Sequence, residues 1–214
     1  MRRAALLFAA ASALAGLSGG CISKPALTAQ SFSIDPPPAA PKTAVTATKT
    51  LELDRVDVAP AYAGRPLSYR TGAHEVERDP YARFAAPPGA MLGFALRGYL
   101  ANADFVRDVV PPGSALPVDA RLETTVVELY GDLPEVGGAA AVLTVEFRVV
   151  SGTPPSELLQ KTYSRRVPVA RRAAAAFVEG WSEGLSRVVA EFLGDLRTAL
   201  ASAGTRGATL PPAR

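Results

Sequence analysis

This chain has almost none of the side chains from which most catalytic and metal sites are built. Its 214 residues include one cysteine, Cys21, and one histidine, His74. A lone cysteine cannot close an internal disulfide, so the fold must rest on its apolar core. A lone histidine, beside Gly72 in a turn-like stretch, lacks the second His or Cys that a metal site draws on. Long apolar runs are missing too. The N-terminal run, Ala4 to Ala15, falls well short of the ~20 residues that span a hydrocarbon core. Charge of one sign is not in excess, with 23 Lys and Arg against 20 Asp and Glu and a formal charge of +3. Nucleic acid needs a concentrated basic face, so nucleic-acid binding is disfavoured. The serines near the apolar strands carry no nucleophile signature. The carboxylate pairs Glu75 with Glu77 and Glu191 with Asp195 read as solvated charge. Gly137-Gly138 lacks the lysine and Ser/Thr of a phosphate loop and reads as a hairpin turn. No catalytic, cofactor-binding or metal-ligating residue is assigned, and no enzyme is expected.

What is there begins at the N-terminus. Arg2 and Arg3 precede the short apolar run, and Gly16, Ser18, Gly19 and Gly20 lead directly into Cys21. A basic start, a short apolar stretch and a small-residue exit make a bacterial export signal. A cysteine placed straight after that exit reads as the acylated first residue of a lipoprotein. The alternative is an ordinary signal cut after Ala13 or Ala15, leaving Cys21 a plain thiol. On the lipoprotein reading residues 1–20 are the signal and residues 21–30 a tether. A single domain would cover residues 31–202, and residues 203–214 would form a flexible tail. Losing Arg2 and Arg3 lowers the formal charge to +1. Ile22, rather than Asp, follows the cysteine and favours the outer membrane, with the domain facing the periplasm.

Periodicity then predicts the elements. Ser31 to Ile34 alternates as a short strand, and the Pro-rich stretch up to Thr50 reads as a loop. Leu51 to Asp54 alternates before Val56 and Val58 shift the phase, which suggests one strand with a bulge near Arg55. Arg65 to His74 and the stretch from Val76 form hairpin arms, the second ending at Asp79-Pro80. Pro87-Pro88 opens a helix whose apolar face is Met91, Phe94 or Ala95, Leu96, Tyr99 and Leu100, ending at Asn102. Phe105 to Val110 is a short strand. Arg121 to Tyr130, Ala139 to Val150 and Glu157 to Val167 form a three-stranded meander. A long helix from about Arg171 to Ala201 carries Phe177, Trp181, Leu185, Val188, Val189, Phe192, Leu196 and Leu200 as one stripe. Its Gly180, Gly184 and Gly194 each cost ~1 kcal/mol relative to Ala, which implies a close approach to the sheet or a partner. Arg165-Arg166 and Arg171-Arg172 could form a small basic patch or be ordinary surface charge. The fold class is α+β: an antiparallel or mixed sheet with two helices packed on one face.

The order of motifs resembles a known family. Phe32-Ser33-Ile34 is followed by Val56-x-Val58-x-Pro60, Tyr69-Arg70, then Phe84-Ala85-Ala86-Pro87-Pro88 with Met91-Leu92, and Phe105 before Val109. With the meander and the terminal helix, this resembles the ABC-type transport auxiliary lipoproteins, the PqiC-like outer-membrane group, from about Ser31 to Leu200. The resemblance implies a non-catalytic accessory of a system that moves lipids or other hydrophobic compounds across the envelope. Its partners would be an MCE-type substrate-binding protein and the ABC permease and ATPase, with the membrane reached through the anchor and a homo-oligomer allowed. A lipid-carrying module and a stand-alone envelope hydrolase are the alternatives. Arg70, Tyr81 and Arg83, arginines and an aromatic in the best-matched segment, are candidate partner contacts.

Cys21→Ser should leave the protein soluble in the periplasm or with its signal uncleaved, because several acyl chains are what makes attachment stable. Unchanged membrane fractionation, with a processed N-terminus other than Cys21, would overturn the lipoprotein reading.

Overall fold

The computed structural model describes residues 28–35, 38 and 47–207, the side chains of 204–207 excepted. Cys21 and the signal lie outside the described residues. Nine strands and two helices follow in the order β1 (Gln30–Phe32), β2 (Lys49–Leu53), β3 (Asp57–Val58), β4 (Pro66–Arg70), β5 (Val76–Phe84), α1 (Pro88–Asn102), β6 (Val106–Val110), β7 (Ala120–Asp132), β8 (Ala140–Ser151), β9 (Ser156–Pro168) and α2 (Ala174–Gly207). They build the expected α+β architecture, with a large, open, mixed sheet.

The sheet is organised around β7. Along one edge it pairs antiparallel with β8, from Arg121↔Val150 to Asp132↔Ala140, and β8 pairs antiparallel with β9. Along its other edge three short strands dock one after another, all parallel: β2 at Ala120, β3 at Thr125 and β4 at Gly131. Outside them, β6 lies parallel to β2, β5 antiparallel to β4, and β1 parallel to β5. Alternation in the sequence found the meander because antiparallel neighbours are joined by short turns. The parallel pairings join segments distant in sequence and leave no local signature.

Two expected elements are built differently. The strand with a bulge near Arg55 is two strands, because residues 54–56 leave the ladder and drop buried Val56 beneath α1. The Asp54 amide still bonds to the Leu122 carbonyl of β7 as β2 ends, and after β3 the Ala59 amide bonds to the Val126 carbonyl. Asp79-Pro80 does not end the second hairpin arm, which runs on to Phe84. Proline cannot donate to a ladder, and here the Asp79 carboxylate accepts the Tyr81 and Ala82 amides instead, each at 2.8 Å. The register slips at this point, and Ala82 and Phe84 still turn into the core.

Both helices cover the same face. α1 buries Met91, Leu92, Ala95, Leu96 and Leu100, while Phe94 stays 66% exposed, so Ala95 takes the inward position. α2 begins at Ala174, where the Ala176 and Phe177 amides bond to the Ala173 carbonyl, and it runs past Ala201 to Gly207. Every residue of its apolar stripe is at most 5% exposed. Phe192 stacks on Phe147 at 4.0 Å, and Trp181 donates its indole N–H to the Tyr130 carbonyl at 3.2 Å.

The three helix glycines separate by environment. A Cβ at Gly180 would lie 2.6 Å from the Ala141 Cβ, at Gly184 it would make ordinary contacts, and at Gly194 it would meet nothing within 4 Å. Only Gly180 is required by the approach to the sheet. Gly194→Ala should therefore raise stability by about 1 kcal/mol through helix propensity. Gly180→Ala should lower it, because overpacking against a strand costs about 1–3 kcal/mol. Denaturant melts that move both variants in one direction would contradict this assignment.

Candidate functional site

The face of the sheet away from the helices acquires its chemistry from a bulge in β7. Leu122, Thr124 and Val126 turn under the helices, opposite Val149, Phe147 and Val145. The register slips between Val126 and Glu128, so Leu129 and Gly131 continue the inner row while Glu128, Tyr130 and Asp132 reach the outer face. An extra residue re-aims the strand in this way.

These outer residues collect partners from four neighbouring segments. β4 sets Arg70 level with Asp132, and β9 sets Arg166 opposite Val142, the neighbour of Tyr130. Asp132, 8% exposed, accepts from Arg70 Nε at 3.2 Å and forms an ion pair with Arg166 Nη1 at 2.5 Å. The Arg70 guanidinium lies 4.4 Å over the Tyr130 ring, and Tyr62, from the β3–β4 loop, stacks on Tyr130 at 5.6 Å. Glu128 accepts from Thr144 Oγ1 at 2.5 Å, and Thr144 shares a hydrogen bond with Ser164 at 2.9 Å. Burial, then the Glu128 charge, raises the pKa of both Tyr62 and Tyr130. Burial alone would lower that of Arg70, but Tyr130, Asp132 and Glu128 together raise it. Arg70 and Arg166 are matched by Asp132 and Glu128, beside a shallow depression of about 540 Å³ walled by Arg70, Thr71, Asp132 and Glu135. The half-exposed guanidinium groups can still donate to carboxylate or carbonyl oxygens of a protein segment.

The sequence-predicted contact residues are only partly gathered here. Arg70 belongs to the cluster. Arg83 pairs in register with Pro66, on the same helix-free face, and is exposed, as is Tyr81 at 48%. No hydrogen bond or ion pair among the described residues joins the three. Asp132, Tyr130 and Tyr62 were not foreseen; the phase change across Val126-Val127 is the signal that exposes the first two.

Other expectations resolve differently. Glu191 and Asp195 are not simply solvated: Lys161 bridges them at 3.1 and 2.8 Å, Arg165 holds Glu191 at 2.5 Å, and the Tyr163 hydroxyl donates to Asp195 at 2.6 Å. The basic patch is only half neutralised: Arg165 pairs with Glu191 and Arg166 with Asp132, while Arg172 donates to the Pro134 carbonyl and keeps its charge. His74 is exposed in the β4–β5 turn. One Gly-x-Ser-x-Gly spacing does occur, at Gly180 to Gly184. It lies inside α2, where Ser182 donates to the Val178 carbonyl, not on a strand-to-helix elbow. Among the described residues no group of three or more His, Cys, Asp or Glu could hold a metal ion. None of the described helices is long and apolar enough to cross a membrane. One enclosed cavity between helices and sheet, lined by Leu92, Leu96, Thr124, Phe147 and Leu185, leaves about 10 Å³, room for one water at most, while an open apolar depression of about 350 Å³ lies between α1 and residues 53–56.

The model of the family described as the ABC-type transport auxiliary lipoprotein component matches residues 32–192. No curated protein matches the sequence. Among solved structures, protein XCC0632 from Xanthomonas campestris is 16% identical, with TM-score 0.68 over 83% of this chain and 98% of that one. An uncharacterized protein is also 16% identical, with TM-score 0.62 over 79% and 99%. The hypothetical protein CT253 from Chlamydia trachomatis is 11% identical, with TM-score 0.51 over 69% and 97%. At these identities the likeness shows the fold alone.

The α2–β9 ion network yields a pH dependence. Glu191 titrates below its ordinary 4.5 because of hydrogen bonds from Arg165 and Lys161, and Asp195 below 3.8 because of Lys161 and Tyr163. A carboxylate with a depressed folded pKa adds stability above its unfolded pKa, and loses it as the pH falls through the folded value. The melting temperature should therefore drop as acid passes below those ordinary values, and less steeply in a Glu191→Gln/Asp195→Asn variant. Parallel melting curves of the two proteins against pH would show that these exposed pairs contribute nothing.

Proposed function

This chain belongs to the ABC-type transport auxiliary lipoprotein components, and we propose that it is a non-catalytic docking module. It is held at the outer membrane through Cys21, faces the periplasm, and receives the MCE-type component of a system moving lipids or other hydrophobic compounds. The permease and ATPase of that system complete the assembly, and further copies of this chain can share the contact.

The observation that carries the reading is the helix-free sheet face. Arg70 and Arg166 are held there by buried Asp132, with Arg70 over the buried Tyr130 ring, and Arg83 extends the same face beside exposed Tyr81. Arginine and tyrosine are the side chains enriched where interface energy concentrates. Docking is favoured over carriage of cargo by this domain because the enclosed space beneath the helices has no room for an acyl chain, and the apolar depression between α1 and residues 53–56 is shallow and open to solvent.

The test is an Arg70→Ala/Tyr81→Ala/Arg83→Ala protein, confirmed as folded by its melting transition. It should fail to co-purify with the MCE component from mildly solubilised membranes, or should change its native mass. A folded variant that keeps both partner and mass would place the interface elsewhere.

A further inference from the structure

The direction in which the chain enters the sheet fixes which end of the domain lies nearest its anchor. β1 is parallel to β5, with Gln30 level with Ala82, so the residues before Gln30 point back toward the start of β5. That end holds the β4–β5 turn. It also holds the β7–β8 hairpin, since Arg70 is level with both Val76 and Asp132. The N-terminus of α2 lies there too, because Arg172 bonds to the Pro134 carbonyl and Gly180 packs on Ala141. α2 then runs down β8, past the Phe192–Phe147 stack, toward the far end. At 1.5 Å per residue the helix places Ser202 about 40 Å from Ala174. From Cys21 to Thr28 the chain can reach at most about 25 Å. The tether is thus too short to let the domain tumble freely end over end above a bilayer.

The near end is shaped for such a surface. Val136, at the tip of the β7–β8 hairpin, is 90% exposed, the highest exposure of any large apolar side chain described. Val76, at the start of β5 on the same end, is 41% exposed. Small protruding apolar groups suit the headgroup layer, where an apolar phase meets a polar one. Arg171 and Arg172 are countered at this end by Glu75, Glu77 and Glu135, so the surface has no strong preference for anionic lipid. We infer that the end formed by the β4–β5 turn, the β7–β8 hairpin and the start of α2 rests on the membrane that holds Cys21, with Val136 in its headgroup layer. Arg70 and Asp132 lie at the margin of that contact, and Tyr81 and Arg83, further along β5, are clear of it for a partner. The inference relies on the lipoprotein reading for the anchor and on the strand directions for the orientation. The far end, with the C-terminus of α2 and the β8–β9 turn, then points away from that membrane.

Acylation occupies the sole native thiol, so an introduced cysteine can be labelled selectively. Full-length acylated protein carrying Val136→Cys or Ser202→Cys, each with a thiol-reactive fluorophore, is placed in phosphatidylethanolamine–phosphatidylglycerol vesicles bearing a headgroup quencher. Gly138→Cys reports on the same hairpin, where an added Cβ meets nothing within 4 Å. Labels at 136 and 138 should be quenched several-fold more strongly than the label at 202. Protein that floats with the vesicles but is quenched equally at all three sites, or most at 202, would overturn the orientation while leaving the anchor intact. Protein that does not float, with an unacylated N-terminus, would remove the lipoprotein reading and this inference with it.

Discussion

The stack of Phe192 on Phe147, with rings 4.0 Å apart and nearly parallel, marks the line on which the fold depends, the seating of α2 along β8. A helix and a sheet face each carry apolar area that must leave water together, and burying one such side chain contributes about 1.5–3 kcal/mol. Here the helix stripe meets the inner row of β8, and Gly180 lets the two backbones close over Ala141. With that layer in place, Trp181 reaches the Tyr130 carbonyl, and Phe177 and Phe84 gather around its ring. The meander alone would leave its inner face wet. The short strands β2, β3 and β4 gain their inner covering from α1 and α2 together.

How much of this was legible follows from the range of the interactions involved. The α2 stripe, the α1 face and the alternation of β8 are local patterns, and each emerged where the sequence placed it. The limits of β5 were not legible, because the substitution of Asp79 for missing ladder bonds is a side-chain event that the proline itself conceals. Nor were the parallel dockings onto β7, since nothing in Leu51 or Val58 names Ala120 or Val126 as a partner. For the site, Arg70 stood out by residue type. Its carboxylate partner lies 62 residues away and faces outward only because of a one-residue slip near Val127.

That slip links the two faces of the sheet. Without it Glu128, Tyr130 and Asp132 would point at α2 and would be buried without water, and an unpaired charge in such a place is strongly unfavourable. Leu129 would move outward, and the ring of Phe177 would lose the gap that Gly131 provides beside Tyr69. The apolar row and the charged platform therefore require the same irregularity. The platform is rigid for the same reason, since each of its members is fixed to a strand that the core has already placed. Asp132 adds a second constraint, because a carboxylate this buried holds its two arginines in place with their guanidinium groups half-exposed at the surface. The exposed network of Lys161, Glu191 and Asp195 differs in kind. It ties α2 to the outermost strand and places charge along β9, whose free edge would otherwise invite pairing with another strand. The outer face is left as the place where this domain can offer fixed, half-exposed charge to a partner without disturbing its core.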